Sequence, residues 1–453
     1  MQQQRKRRFI SSWRSRTLNE LIVKNCQSQE STIEWDSNTV TPGTEFMTLL
    51  EEQLLHAKDK LGSKPGVKVI LSTSQEFGEG EHKIFKIMQH IDSSDTIIYG
   101  LDADLILLSL LENTSIKLLR ESPEFGSREK NSKQSFMFLD INLLKKAIIT
   151  DISKSNKQRD LQNLLDDYVM LCTLLGNDFL PPLSYIKLKD NGLEILLNAY
   201  NNATQFDNAH LVYKRQELNM TVLASIILYL SKSEDNTMLE CSIKYYETEF
   251  KSSTRHEYHE HLTHYIDSYP IIHKPEFEIN IQDNKAWRLD WYHYLFGSHM
   301  PEMINEACTI YTQGLHWVFA YYFTKNCNFS WYYPYNYSPC LLDLSHYISN
   351  SLTVSCHSDK HLNTHNSHKI FVEIINPDIQ LLMVLPPQSA NLMKPHLRSL
   401  VYNLSHGVSH YYPISFKIVT YLKQYLWECS PCLPDINFEQ LVQSYMRVIN
   451  QNE

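Results

Sequence analysis

Hydrophobic and polar positions along the front of the chain change period several times, and each change predicts an element. Residues 1–17 are polar and basic and read as a helix. Thr41-Pro42-Gly43-Thr44 reads as a turn, with Thr44 as N-cap of a helix over 45–60. VKVILST (67–73), β-branched and apolar, predicts a buried strand. FGEGEHKIFK (77–86) then places two glycines and two acids ahead of the helix-periodic residues Ile84, Phe85, Ile87 and Met88. DTIIYG (95–100) predicts a second buried strand, ending at Leu101-Asp102-Ala103-Asp104. Strand, helix and strand in that order predict a βαβ unit in a parallel sheet with helices on its faces. A helix over 160–175 presents Leu161, Leu164, Leu165, Tyr168, Cys172 and Leu175 on one face, with Gly176 at the C′ position.

The first 200 residues therefore read as one α/β domain. Residues 201–285 are less regular and read as a connecting region. Residues 286–435 form a second region, aromatic-dense over 287–345 and culminating in SWYYPYNYSP (330–339), with 436–453 as a tail. Most of those rings are expected in the core, although Trp and Tyr also stack on bases. HEYHEHLTH (256–264) invites a metal reading, but a solvated polar helix is the preferred one; CHSDKHLNTHNSH (356–368) reads as an exposed polar loop.

At 453 residues, 43% hydrophobic and 21% charged, the chain has the composition of a soluble globular protein of two or three domains. A net charge of −9 argues against a surface that coats nucleic acid non-specifically, while leaving room for a local basic pocket. Among nine Cys the one close pair is Cys429-Ser-Pro-Cys432, and without a second pair it reads as free thiols rather than a zinc site. No apolar run approaches the ~18 residues that span a bilayer, and the basic N-terminus lacks the apolar stretch of a secretory signal. The expectation is a cytoplasmic or nuclear protein without membrane contact.

The candidate chemistry lies in carboxylates. If the strand at 95–100 continues through them, Asp102 and Asp104 project to one face, just past the C-terminal end of a parallel strand, where open α/β sheets place ligands. Glu79 and Glu81 follow the preceding predicted strand at the same edge. Asp178, in GNDFLPP (176–182), follows a helix C-terminus, the unfavourable end of the dipole for a negative charge. Alone it reads as a turn residue. Five converging carboxylates call for raised pKa values or bound metal, and all-oxygen donors suit Mg²⁺ or Mn²⁺. Two such ions about 3.5–4 Å apart clamp in-line displacement at phosphorus. On this reading Gly78 and Gly80 let the backbone turn sharply enough for both glutamates to reach the metal.

QQQRKRRF (2–9) can be a localisation signal, a solvated basic end or a phosphate site. On a helix Gln4, Arg7 and Arg8 share a face, with Arg5 and Lys6 pointing elsewhere, and two guanidiniums beside an amide suit a terminal phosphate.

These segments, in this order, resemble the Xrn family of 5′→3′ exoribonucleases, relatives of flap-endonuclease-like and PIN-like nucleases. The matching stretches are QQRKRRF (3–9), WDSNTVTPGTEFM (35–47), GEGEHKI (78–84), YGLDADLILL (99–108), LLRES (118–122) and DDYVMLCTLLGNDFLPPL (166–183), then GLHWVFAYYF (314–323), SWYYPYNYSP (330–339) and MVLPPQSA (383–390). The resemblance implies an α/β nuclease core, a mostly parallel sheet flanked by helices, with a second, mainly helical conserved region packed on it. It implies that Glu79, Glu81, Asp102, Asp104 and Asp178 bind the catalytic Mg²⁺ or Mn²⁺, two ions in all. It implies a 5′-monophosphate pocket at Gln4, Arg7 and Arg8, and base stacking at Trp317, although Trp331 and its neighbours are aromatic too.

The sequence also departs from the family. Members carry about ninety residues ahead of the QQR stretch, including two metal-binding Asp, a stacking His and a pocket Lys; here the chain starts at Met1. YLKQYLWECSPCLP (421–434) matches poorly, and nothing resembles the small β-domains of the large cytoplasmic members. The expected activity is hydrolysis of single-stranded, 5′-monophosphorylated RNA to mononucleotides, by a fragment, a mis-started reading frame or one half of a split enzyme completed by a missing N-terminal piece or partner. The alternative is a non-catalytic RNA-binding or scaffold homologue, against which the five retained acids argue. A structure-specific DNA nuclease is disfavoured by the match to the second region.

Overall fold

The computed structural model describes residues 1–26, 35–91, 95–122, 135–152, 160–205, 209–251, 258–277, 279, 286–355 and 376–451. The chain divides into two compact units, each assembled from distant segments: 1–77, 239–280 and 364–453 in the first, 78–238 and 281–363 in the second.

In the first unit the basic front of the chain is helical over Gln2–Cys26. Ile10 and Leu18 pack with Leu262, Ile266 and Leu426, so the helix is anchored by its sparse apolar positions. Its buried Arg5 donates to the carbonyls of Tyr411 at 2.6 Å and Pro434 at 2.7 Å. Arg14 forks onto both oxygens of Asp267 at 2.6 and 2.9 Å. A second cluster gathers Leu382, Leu397, Leu400, Tyr411, Leu441 and Tyr445. Thr44 caps the helix Glu45–Gly62 as predicted, its side chain accepting from the Met47 amide. That helix buries none of its residues.

The segment 67–73 is not a strand. Val67 and Ile70 are 47% and 51% exposed, and no neighbour pairs with this stretch among the described residues. A strand forms only where another backbone takes its hydrogen bonds, and apolar β-branched composition does not supply one.

The second unit carries the βαβ arrangement one step further along the chain. Strand β1 (Asp95–Tyr99) pairs in parallel with β2 (Ser115–Glu121), the crossover being the helix Asp104–Leu111, and β3 (Phe136–Asp140) runs antiparallel to β2. The sheet order β1-β2-β3 contains one parallel and one antiparallel pair, so the mostly parallel sheet reduces to a single parallel ladder among the described residues. One face is covered: Ile98, Ile116 and Leu118 are buried with Leu105, Leu108, Ile141 and Ile148 of the adjoining helices. The other face leaves Ile97, Tyr99, Phe136 and Phe138 more than half exposed, which overturns the expectation of two fully buried strands.

The helix Leu161–Thr173 ends two residues before the predicted limit, and Gly176 takes φ +94° in the turn beyond it. Leu161 is exposed, and the buried face instead includes Val169, Met170 and two acids, Asp166 and Asp167. Each acid is held by several protein partners. Arg215 donates to both oxygens of Asp166 at 2.8 to 3.0 Å. Asp167 accepts from the Tyr200 hydroxyl at 2.5 Å and the Val212 amide at 2.7 Å, and meets His210 Nδ1 at 2.8 Å. This double anchor fixes the helix whose end delivers Asp178.

The aromatic-dense region is core, as expected: Trp287, Trp291, Tyr292, Tyr311 and Tyr322 are among the largest fully buried side chains. Of the histidine-rich stretch, the described part lies in the helix Tyr258–Asp267, with Leu262 and Ile266 inward; residues 356–368 fall outside the described residues. Cys429 and Cys432 are free thiols flanking a two-residue strand, Ser430–Pro431. No helix among the described residues is long and apolar enough to cross a membrane.

Candidate active site

Three backbone features of the second unit bring acids together. At the first, Gly78 adopts φ +107°, a conformation reserved largely for glycine, and turns the chain into the helix Gly80–Met88. Glu79 occupies the N-cap position without capping the helix itself, so its carboxylate is left for other partners. Gly80 has an ordinary backbone and open space around it, so only one of the two glycines is needed for the turn.

The second feature is the end of β1. The strand stops at Tyr99 rather than running on through the acids. Asp102 Oδ1 accepts from the Asp104 amide at 3.1 Å, closing an Asx turn, and Asp104 is the first residue of the next helix. The two carboxylates are therefore gathered by a turn at a helix N-terminus, where the dipole favours negative charge, and not by strand alternation. The third feature follows the helix Leu161–Thr173. Asn177 donates to the Thr173 carbonyl at 3.2 Å and accepts from the Phe179 and Leu180 amides at 2.9 Å each, forming a loop that presents Asp178.

Electrostatics show that these loops meet. The half-buried Asp104 carboxyl is pushed up to about 6, chiefly by burial and further by the charges of Asp102, Asp178 and Glu79. The Tyr322 hydroxyl, donating to Asp104 Oδ1 at 2.7 Å, opposes that rise. Tyr321 donates to Glu79 Oε2. Both phenols are held far above their ordinary range, by burial first and then by the neighbouring acids, so they remain neutral donors. Glu81 sits differently. It acts on His82, whose ring lies edge-on to Tyr321 at 4.4 Å and whose pKa is lowered by burial and by Lys325, with Glu81 opposing. Four of the five expected acids thus share one field, with Glu81 on its flank.

Tyr321 and Tyr322 went unnoticed in the sequence as partners of the acids. They lie on a π-helical turn, Ala320–Thr324, that ends the helix Pro301–Phe319. Such turns often mark functional positions. Nothing in the AYYF string points at carboxylates more than two hundred positions away. Asp166 and Asp167 lie in the matching stretch 166–183, but an adjacent acidic pair gives no sign of burial in the sequence.

Trp317 belongs to an aromatic column beside the acids. Its ring stacks on Tyr321 at 5.6 Å and 17°, and on Trp331 at 5.8 Å and 27°, and Phe179 lies 4.4 Å away. With Nε1 donating to the Asn328 carbonyl at 2.7 Å, Trp317 is 9% exposed. The basic residues belong to the first unit: Gln4 and Arg7 are exposed, and half-buried Arg8 donates to Asn38 Oδ1 at 3.1 Å, itself tied to Ser389 at 3.0 Å.

Residues 1–122 match the family model described as XRN 5'-3' exonuclease N-terminus, and residues 158–286 and 283–452 match the Xrn1 helical domain. The chain belongs to the Xrn family. It is 26% identical to 5'-3' exoribonuclease 1 of Homo sapiens, the alignment taking in 98% of this chain and 28% of that protein. With 5'-3' exoribonuclease 1 of Saccharomyces cerevisiae it shares 24% identity over all of this chain and 38% of the relative. With 5'-3' exoribonuclease 2 of Arabidopsis thaliana the identity is 23%, over 91% of this chain and 52% of the relative. The Xrn chain thus spans 28% to 52% of the length of these curated relatives.

The acid cluster of this Xrn chain fits a hard divalent cation by its donors. All are carboxylate oxygens, and Asp104 is raised by burial first and then by neighbouring negative charges, both of which a bound cation would offset. Its spacing is looser than its chemistry: among the described residues no group of three or more His, Cys, Asp or Glu is arranged to hold a metal ion.

Proposed function

We propose that this chain is the nuclease portion of a metal-dependent 5′→3′ exoribonuclease, hydrolysing 5′-monophosphorylated RNA to nucleoside 5′-monophosphates on a PIN-like core. The observation that carries the proposal is the approach of Asp102, Asp178 and Glu79 to Asp104, whose carboxyl is raised to about 6 by burial and then by those charges. Asp104 and Glu79 receive hydrogen bonds from neutral phenols. Converging carboxylates are costly to ionise together, and a divalent ion from solution would offset that cost. Relatives named 5'-3' exoribonucleases support the substrate and the direction.

Glu79, Asp102, Asp104 and Asp178, with Glu81 alongside, would hold two Mg²⁺ or Mn²⁺ ions. When bound, the ions supply activation of the attacking water and charge compensation at phosphorus. The chain's own groups do the rest. Asp102 fixes the start of the Asp104 helix, and the phenols orient Glu79 and Asp104. Gln4, Arg7 and Arg8 are proposed to bind the 5′-monophosphate, Arg8 being aimed by Asn38. Trp317, 9% exposed with Tyr321 and Trp331 against its ring, is proposed to support base stacking from within the column, the half-buried Trp331 being the ring with the more open surface.

The test is cleavage of matched RNAs bearing a 5′-monophosphate or a 5′-triphosphate, in Mg²⁺ and in EDTA. Processive loss of the monophosphate strand alone, abolished by EDTA, is expected. Equal cleavage of both strands, or cleavage in EDTA, would overturn the proposal. A second reading, a chain inactive until a further polypeptide completes it, is favoured by one observation: among the described residues β1 is an edge strand, and Ile97, Tyr99, Phe136 and Phe138 leave one sheet face exposed.

A further inference from the structure

Tyr321 and Tyr322 are consecutive residues, yet each reaches a carboxylate from a different part of the chain. The Tyr321 hydroxyl donates to Glu79, in the turn before the helix Gly80–Met88, and the Tyr322 hydroxyl donates to Asp104, at the start of the helix Asp104–Leu111. Their rings meet edge to face at 5.1 Å, and they are only 4% and 2% exposed. Tyr321 is further wedged by Trp317, Phe179 and His82. The backbone carrying them is a π-helical turn closed by the Lys325 amide donating to the Ala320 carbonyl at 2.6 Å, with Lys325 in the left-handed region at φ +58°. Glu79, by contrast, is exposed on a glycine turn.

We propose that Tyr321 and Tyr322 form a bracket that sets the separation and orientation of Glu79 and Asp104, each phenol occupying one carboxylate oxygen and directing the other toward the cation; this rests on the acid cluster being the cation site. The physical case is pre-organisation. An exposed glutamate loses side-chain freedom when it binds an ion, and a buried phenol that already holds it removes part of that cost. Hydrogen bonds to metal-binding groups from the surrounding layer are worth about 10- to 100-fold in metal affinity. A phenol is suited to the role because it donates one hydrogen bond without bringing a positive charge that would compete with the ion.

The experiment is calorimetric titration of the full chain with Mn²⁺, together with thermal melting in EDTA, on Tyr322→Phe, Tyr321→Phe, Asp104→Asn and Tyr333→Phe. Tyr333 is a control of matching chemistry, a buried tyrosine whose hydroxyl donates to the Tyr337 carbonyl at 2.9 Å. Tyr322→Phe and Tyr321→Phe should each weaken Mn²⁺ binding by roughly tenfold or more, and Tyr333→Phe should bind Mn²⁺ as tightly as the unaltered chain whatever its melting temperature. Asp104→Asn should lose the binding. Undiminished affinity in both bracket variants, with Asp104→Asn still deficient, overturns the bracket and leaves the cation site standing. A loss in Tyr333→Phe equal to that in the bracket variants also overturns the bracket, as a general effect of core truncation. Full binding by Asp104→Asn, or none by the unaltered chain, removes the cation site and the bracket with it.

Discussion

Replacing Asp104 by Asn should make the metal-free protein more stable at alkaline pH while destroying the proposed activity. Asp104 ionises at an ordinary carboxylate pKa of 3.8 when unfolded and at about 6 when folded. A folded pKa above the unfolded one means that the protonated form is favoured by the fold. Its contribution is present in full below the unfolded value, is lost as pH rises through the folded one, and leaves an energetic cost above about pH 7. A shift of roughly two units corresponds to ~3 kcal/mol at 1.36 kcal/mol per unit. Asp104 is only half-buried, so solvent screening reduces the usable figure to about 1–2 kcal/mol. Asn cannot ionise, and its carbonyl oxygen can still accept the Tyr322 hydrogen bond, so the substitution removes the charge with little other change. Thermal melting in EDTA should show Asp104→Asn higher by about 1–2 °C at pH 8, with the gap closing toward pH 4. Adding Mg²⁺ or Mn²⁺ should raise the unaltered chain alone, since only its site gains binding energy. A variant that melts lower at pH 8, or a difference that ignores pH, would refute the burial of Asp104 among other acids.

Asp102→Ala should reduce RNA turnover by roughly a hundredfold or more while RNA still shifts on a native gel, because the loss falls on cation binding rather than on strand contacts. Arg8→Ala should erode the preference for a 5′-monophosphate over a 5′-triphosphate, read from competition between the two RNAs, and leave the Mn²⁺ affinity of the acid cluster in place. Asp167→Ala should cost about 3–5 kcal/mol in urea denaturation, since it strands the buried Tyr200 hydroxyl and the Val212 amide together with His210. An Asp167→Ala loss under about 1 kcal/mol would show that the anchor is not the brace the geometry indicates.

What the sequence disclosed and what it withheld divide along a physical line. Capping and turn chemistry act over a few residues, so Thr44, the glycine turn at Gly78 and the helices at 45 and 80 were legible from their neighbours alone. Strand pairing does not act locally. VKVILST has the composition of a strand and no backbone to pair with among the described residues, whereas DTIIYG has the same composition and a parallel partner at 115–119. The local pattern is the same in the two, and only the distant chain separates them. The acids were legible as residues but not in their means of convergence. Asp102 and Asp104 come together through an Asx turn, because the strand stops at Tyr99 and the Asp104 amide finds its acceptor two residues back.

The same line explains why the tyrosine bracket could not be read from the chain. A carboxylate cluster announces itself because like charges are costly and few structural roles require several together. A tyrosine that positions such a cluster has the appearance of ordinary core, since its ring is buried and hydrophobic and only the hydroxyl is specific. Tyr311, Tyr322 and Tyr333 are all buried donors, to the Pro181 carbonyl, the Asp104 carboxylate and the Tyr337 carbonyl in turn. Two of these satisfy backbone, and one reaches an acid whose charge is already unfavourable. That difference lies in the acceptor, and the acceptor is chosen by a π-helical turn displacing two side chains from the helix that precedes them. The acids can therefore be counted in the sequence, but the geometry that would make them a cation site is carried by hydroxyls that three-dimensional proximity alone distinguishes.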